Sequence, residues 1–217
     1  MSVKEIKMHQ PILSSVLVVA SITLVSGCAT SVLGELPVDV PNAVCSHDFS
    51  TSQLSLKPAF TETEKNSIVS GDSPGELLTS LSRSVPNRGI GNTRWNINWV
   101  FDTQRGISGC SLANVETNVQ IDYHLPLWPG RLAAANRTLI DQWNDYSDAL
   151  RAHHCGHGKI GIDAALEVKA TLQQLPSLGS CTSLQAEADE LARSIIDRYK
   201  KIEADFTPPQ FIDFVQR

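Results

Sequence analysis

The 217-residue chain has no run of basic residues, and its formal net charge is −5. A nucleic-acid binder needs a basic patch to displace counterions from phosphates, so that class is excluded. Glycine is also thin where it would matter. Gly89 and Gly91 mark a turn, but no phosphate-cradling loop follows a strand-like segment. Nor is there a convincing membrane span. The apolar stretch "PILSSVLVVASITLV", from Pro11 to Val25, carries no charge but falls short of the roughly 18 residues a spanning helix needs. It follows Lys4 and Lys7, and a basic start before a short apolar centre is the layout of an export signal.

Cysteine is scarce, five in all, and the first closes the segment "LVSGC" directly after the apolar stretch. This resembles the lipobox of bacterial lipoproteins, in which the signal is cut before the cysteine and that residue is then acylated. The resemblance implies a signal peptide over residues 1–27, lipidation (palmitate among the acyl chains) at Cys28, and anchoring to a membrane of the bacterial cell envelope. Ala29 follows where Asp would imply inner-membrane retention, so the implied location is the outer membrane, facing the periplasm. Residues 28–43 hold two prolines and no periodicity, and read as the anchor and tether. The other four cysteines, Cys45, Cys110, Cys155 and Cys181, are an even number in an oxidising compartment, which favours two disulfides over metal ligation.

Residues 44–56 carry a weak strand signal. In "SPGELLTSLSRSVP" Ser73 is an N-cap, Pro74 opens a helix, Glu76 completes a capping box and Pro86 stops it. "NTRWNINWVF" then alternates, with Trp95, Ile97, Trp99 and Phe101 on one face; "NVETNVQIDY" does the same with Val115, Thr117, Val119, Ile121 and Tyr123. Turn residues between them predict an antiparallel pair, and the tryptophans belong to its apolar, core-facing side. Past "LPLWPG" the period becomes helical. Leu139, Trp143, Tyr146, Leu150, His153, His157, Ile160, Ala164, Val168 and Leu172 share one stripe, and a second helix begins at Thr182. A short connection between them predicts an antiparallel helical hairpin, and the fold class is α+β: a small antiparallel sheet packed on that hairpin.

The long helix carries "RAHHCGHGKIG". His153 and His157 fall on its apolar stripe, while His154 turns away by about 100°. Two imidazoles facing a core must be satisfied, either by hydrogen bonds or by a metal ion, and an i, i+4 pair suits one tetrahedral ion. Length also bears on the disulfides. An unbroken helix from Cys155 to Leu175 climbs about 30 Å, and the six steps to Cys181 recover roughly 20 Å. Cys155 then cannot meet Cys181 unless Gly156, Gly158 and Gly161 break the helix. Of the two pairings left, Cys110–Cys181 with Cys45–Cys155 is preferred.

From about Asn66 to Leu191 the succession "VSGDSPGELLTSL", "TRWNINWVF", "GCSLANVETNVQIDYHLPLW" and "WNDYSDALRAHHCGHGKIGIDAA" resembles a bacterial family of predicted secreted zinc-dependent proteases. The resemblance implies a zincin-like helix, a domain over residues 44–207 with a tail at 208–217, and zinc as cofactor. In that family the last segment normally reads H-E-x-G-H. Carried over residue by residue, His153 and His157 take the ligand positions and His154 takes that of the general-base Glu. Loss of a general base typically costs ~100- to 10,000-fold in rate. Family members often carry a later His as a third ligand; no His follows His157 here. With Tyr199 setting the register, Asp205 falls at that position, and Glu203, bordering the stripe, is the alternative. The expectation is a peptidase-like envelope lipoprotein that binds zinc, with weak or lost hydrolysis of a peptide or protein substrate. The rival is a non-catalytic lipid-anchored module that binds a protein or cell-wall partner, its histidines structural.

Overall fold

The chain divides into two units, Met1–Val40 and Pro41–Arg217, and the computed structural model describes residues 44–86, 90–132 and 136–206 of the second. The export signal, Cys28, the tether and the 208–217 tail lie outside the described residues. The elements are β1 (Ala59–Ile68), α1 (Pro74–Ser84), β2 (Asn92–Gly106), β3 (Gly109–Leu127), α2 (Arg137–Gln173) and α3 (Cys181–Asp205), with 3-10 turns at Leu54–Leu56 and Pro129–Leu132. The fold is α+β, with α2 and α3 packed on a three-stranded sheet. No described helix is long and apolar enough to cross a membrane.

The helix signals act as the sequence predicts. Ser73 caps α1, its Oγ accepting from the Glu76 N–H, while the Glu76 carboxylate accepts from Asp72 N–H at 2.8 Å. α2 runs unbroken for 37 residues from its Asn136 cap. α3 begins one residue earlier than expected, at Cys181, because Ser180 supplies the cap. Residues level with each other across α2 and α3 confirm the antiparallel hairpin: Tyr199 Oη donates to Glu167 Oε2 at 3.0 Å, and Arg198 pairs with the same carboxylate.

The sheet differs from expectation. Its order is β1-β3-β2; β2 and β3 are antiparallel, but β1 lies parallel to β3, so the sheet is mixed. The weak strand signal at residues 44–56 gives no strand; the third strand lies just beyond it. β1 carries no alternating apolar signal because its inward row contains carboxylates. Glu62 accepts from His47 Nε2 at 2.8 Å (with that nitrogen protonated) and from Tyr123 Oη at 2.7 Å; Glu64 takes two hydrogen bonds from the Arg151 guanidinium, at 2.8 and 3.2 Å. Each inward charge has its partner, which is the condition for burying it.

The sheet's inner face, with Trp95, Ile97, Val119, Ile121 and Tyr123 buried, packs on α2 through Leu150, Ile162, Ala164 and Ala165. Mid-helix glycines cost helix stability, about 1 kcal/mol each against alanine, but here they set the helix–sheet distance. A Cβ on Gly158 would stand 2.1 Å from Tyr123 Oη, and one on Gly161 would stand 2.7 Å from Trp95 Cγ. α3 joins below through Ala188, Ala192 and Ile195 against Val168, Leu172 and Val115. Two disulfides, Cys45–Cys155 and Cys110–Cys181, complete the unit; this is the pairing preferred among the two that chain length left open. The second is reinforced by backbone hydrogen bonds in both directions between Cys110 and Leu178.

Candidate metal centre

His153 and His157 lie one turn apart on α2, where the helix faces the end of α3. Both side chains turn toward a common point. Their Nε2 atoms are 3.2 Å apart and the ring planes are 80° to one another. Two nitrogens bound tetrahedrally to one zinc at 2.0–2.1 Å stand roughly 3.3–3.4 Å apart, so the pair has the bite of a metal ligand pair. The same distance suits an N–H···N hydrogen bond, which requires one ring to donate through Nε2 and the other to accept. His153 is 6 % exposed. Burial, with the neighbouring charges of His157 and His154, pushes its imidazole down to about 4, so it stays neutral and keeps a lone pair at physiological pH.

The proposed third ligands are placed differently. Glu203 meets the far side of His157: its Oε1 is 3.6 Å from Nδ1, not beside Nε2. At 3.6 Å this is an ion-pair approach rather than a hydrogen bond, and it leaves His157 Nδ1 without a hydrogen-bond partner; a shift of a few tenths of an ångström would make Glu203 the carboxylate that orients this imidazole. Burial alone raises the Glu203 carboxyl, but His157 and Lys200 outweigh it and hold the group below the ordinary carboxylate range. Lys200 Nζ reaches Glu203 Oε2 at 3.1 Å and lies 3.3 Å above the Trp95 ring centroid, so it fastens the end of α3 to the sheet. Asp205 is the exposed last residue of α3. Among the described residues, no third His, Cys, Asp or Glu atom joins the His153–His157 pair in a compact cluster. Tyr199, level with the site in the hairpin, is occupied by Glu167.

His154 has partners of its own, although its ring centroid lies 5.3 Å from that of His153 and 6.0 Å from that of His157. It is 2 % exposed, and both ring nitrogens are used: Nε2 is 2.7 Å from the Ile90 carbonyl and Nδ1 is 2.7 Å from Thr93 Oγ1. A carbonyl only accepts, so Nε2 carries the proton and Nδ1 accepts from the Thr93 hydroxyl. The turn holding Ile90 depends on Gly91, whose φ is +84° and whose Cβ would stand 2.1 Å from the His124 carbonyl oxygen. Burial lowers the His154 pKa. Its lone pair is committed to Thr93, so the residue expected at a general-base position serves instead as a tie between α2 and the sheet.

These shifts have a sign. His153 and His154 bind protons less readily folded than unfolded, where 6.5 is the ordinary value, so the unfolded chain takes up more protons in acid. The stability from keeping His153 neutral is full above about pH 6.5 and drains away toward pH 4, and His154 contributes in the same direction. Metal-free protein is expected to lose thermal stability from pH 6.5 downward, before the carboxylates titrate; a melting temperature flat to pH 5 would contradict this.

A second group of ligand-type atoms, from Cys45, His47 and Glu62, lies within 4.8 Å and could hold a metal ion. Nothing in the sequence singled it out, since Glu62 joins His47 only through the unrecognised β1. Its sulfur is bonded to Cys155, so the thiolate that zinc prefers is absent while the disulfide stands. Beside it runs a cleft of about 290 Å³ lined by His47, Phe49, Cys155, Gly156, Lys159 and Asp163 among others; neither His153 nor His157 lines it.

Neither a curated protein nor a solved structure matches the chain. Residues 65–207, about two-thirds of its length, do match a family. That span begins in β1, takes in the histidine helix and ends just past Phe206, so it contains the whole site. The chain belongs to a family of bacterial proteins of unknown function, DUF922.

Proposed function

We propose that this protein is an exported, lipid-anchored envelope protein that holds a zinc ion between His153 and His157 and hydrolyses peptides weakly or not at all. The observation that carries this reading is the 3.2 Å Nε2–Nε2 separation on an uninterrupted helix, with Glu203 behind His157. Zinc bound there would supply a Lewis acid able to polarise a carbonyl and acidify water. The chain's own residues provide the pair that binds, a carboxylate placed to orient one imidazole, and a third histidine whose proton-accepting nitrogen is already engaged. Catalytic hydrolysis lacks its base; binding does not depend on one. Anchoring follows from the lipobox-like "LVSGC" before Ala29, and outer-membrane placement from that alanine.

A second reading, a structural histidine pair in a module that binds a protein or cell-wall partner, draws on the missing third donor among the described residues. Zinc titration of the full chain in detergent separates the two. One equivalent bound by the wild type and lost, by 100-fold or more in affinity, in His157→Ala is expected; a wild type that binds none favours the structural pair.

A further inference from the structure

Gly156 precedes His157 in the motif, and its missing side chain is used. A Cβ there would stand 2.6 Å from Phe206 Cζ and 2.9 Å from Cε1. Phe206 is the C-cap of α3. Its ring stacks on His153, planes 4° apart and centroids 5.2 Å apart, and meets His157 edge-on at 5.0 Å. It is still 38 % exposed, so it is no core residue. One turn earlier, Lys200 and Glu203 tie α3 to Trp95 and His157. Beyond that point the ring is held by the two imidazoles and the bare surface of Gly156. An aromatic side chain at a helix end, resting on two polar rings over a glycine, covers the site without building the core.

We propose that Phe206, seated on Gly156, decides what reaches the His153–His157 pair: small ligands pass, and a polypeptide or a bulky chelator must wait for the ring to swing aside. For its metal-loaded form this rests on the zinc reading above; the covering itself does not. The geometry also supplies a way to open the gate from either side. Phe206→Ala removes the ring, and Gly156→Ala evicts it by filling its seat.

The test uses the purified full chain and has two arms. In metal-free protein, diethyl pyrocarbonate modification of each histidine is followed in the tryptic peptide Ala152–Lys159, which contains all three. Phe206→Ala and Gly156→Ala are each expected to speed modification of His153 and His157 about tenfold, the factor that about 1.4 kcal/mol of closed-state contact represents. The double variant should be no faster than either single one, and His154, held elsewhere, should keep its rate. In zinc-loaded protein, extraction by the chelator 4-(2-pyridylazo)resorcinol should follow the same ranking. Unchanged His153 and His157 rates in Phe206→Ala overturn the gate, as does an equal rise at His154, which marks general loosening. If Gly156→Ala does not fold, Phe206→Ala decides alone. Absence of bound zinc counts against the metal reading and leaves the first arm to judge the gate.

Discussion

Replacing His154 by Glu, which would complete the H-E-x-G-H motif the segment resembles, is expected to destabilise the protein by roughly 3–5 kcal/mol and to yield no peptidase. The site of that side chain is built for a ring that donates once and accepts once. Ile90 presents a carbonyl oxygen 2.7 Å from Nε2, and Thr93 presents its hydroxyl to Nδ1. A carboxylate offers only acceptors. Ionised, it would lose the donor that Ile90 requires and face that oxygen with negative charge in a position 2 % exposed; holding the proton that restores the donor costs about 3.7 kcal/mol at pH 7. An uncompensated buried charge is among the few single changes that cost this much. Proton transfer would gain nothing, because a carboxylate held toward Ile90 and Thr93 is not presented to the facing Nε2 atoms of His153 and His157. Denaturant unfolding together with a peptidase assay in excess zinc checks both halves. A stable His154→Glu protein that cleaves peptides would mean that the histidine pocket opens onto the His153–His157 pair.

Removing the Cys45–Cys155 bond, by serine at both positions, is expected to cost about 2–5 kcal/mol, toward the upper end of that range. The two cysteines are 110 residues apart in sequence, and a cross-link closing about 100 residues restricts the unfolded chain by roughly 4.7 kcal/mol. The native side adds to this. Cys45 N–H donates to Glu62 Oε2 at 3.3 Å, and His47 bonds the other oxygen of the same carboxylate. Without the bond, the segment that carries these donors is tied down by fewer contacts, and Glu62 loses partners it needs for burial. Hydrogen exchange should then show residues 45–53 opening well below the global unfolding free energy. Protection there equal to the wild type would mean the hydrogen bonds alone hold the segment.

What could be read from the sequence follows what was periodic or punctuated. Trp95–Phe101 and Val115–Tyr123 alternate because one face is core and the other solvent; the structure buries Trp95, Ile97 and the row from Val115 to Tyr123, and half-buries Trp99 and Phe101. Ser73-Pro74-Glu76 is local chemistry, so α1 was visible. β1 was not, because Glu62 and Glu64 point inward, and their partners His47, Tyr123 and Arg151 are distant in sequence. At the site, the phase of α2 placed His153 and His157 on one stripe, where their Nε2 atoms meet. The same phase could not foresee that His154 enters a second buried pocket, since that pocket is made by a turn some 60 residues away. Nor could it tell that Glu203 approaches Nδ1 rather than Nε2, a matter of side-chain reach across the hairpin. Gly156 was visible only as a helix breaker that does not break the helix; its use appears once Phe206 is in place.

X-ray absorption fine structure of the zinc-loaded, disulfide-intact protein is the most direct test of whether the facing imidazoles of α2 hold a metal. Two imidazole nitrogens at about 2.0–2.1 Å with the remaining ligands light atoms, changing to fewer imidazoles in His157→Ala, is the predicted result. Sulfur at about 2.3 Å, or a wild-type spectrum without paired imidazole scattering, would contradict it.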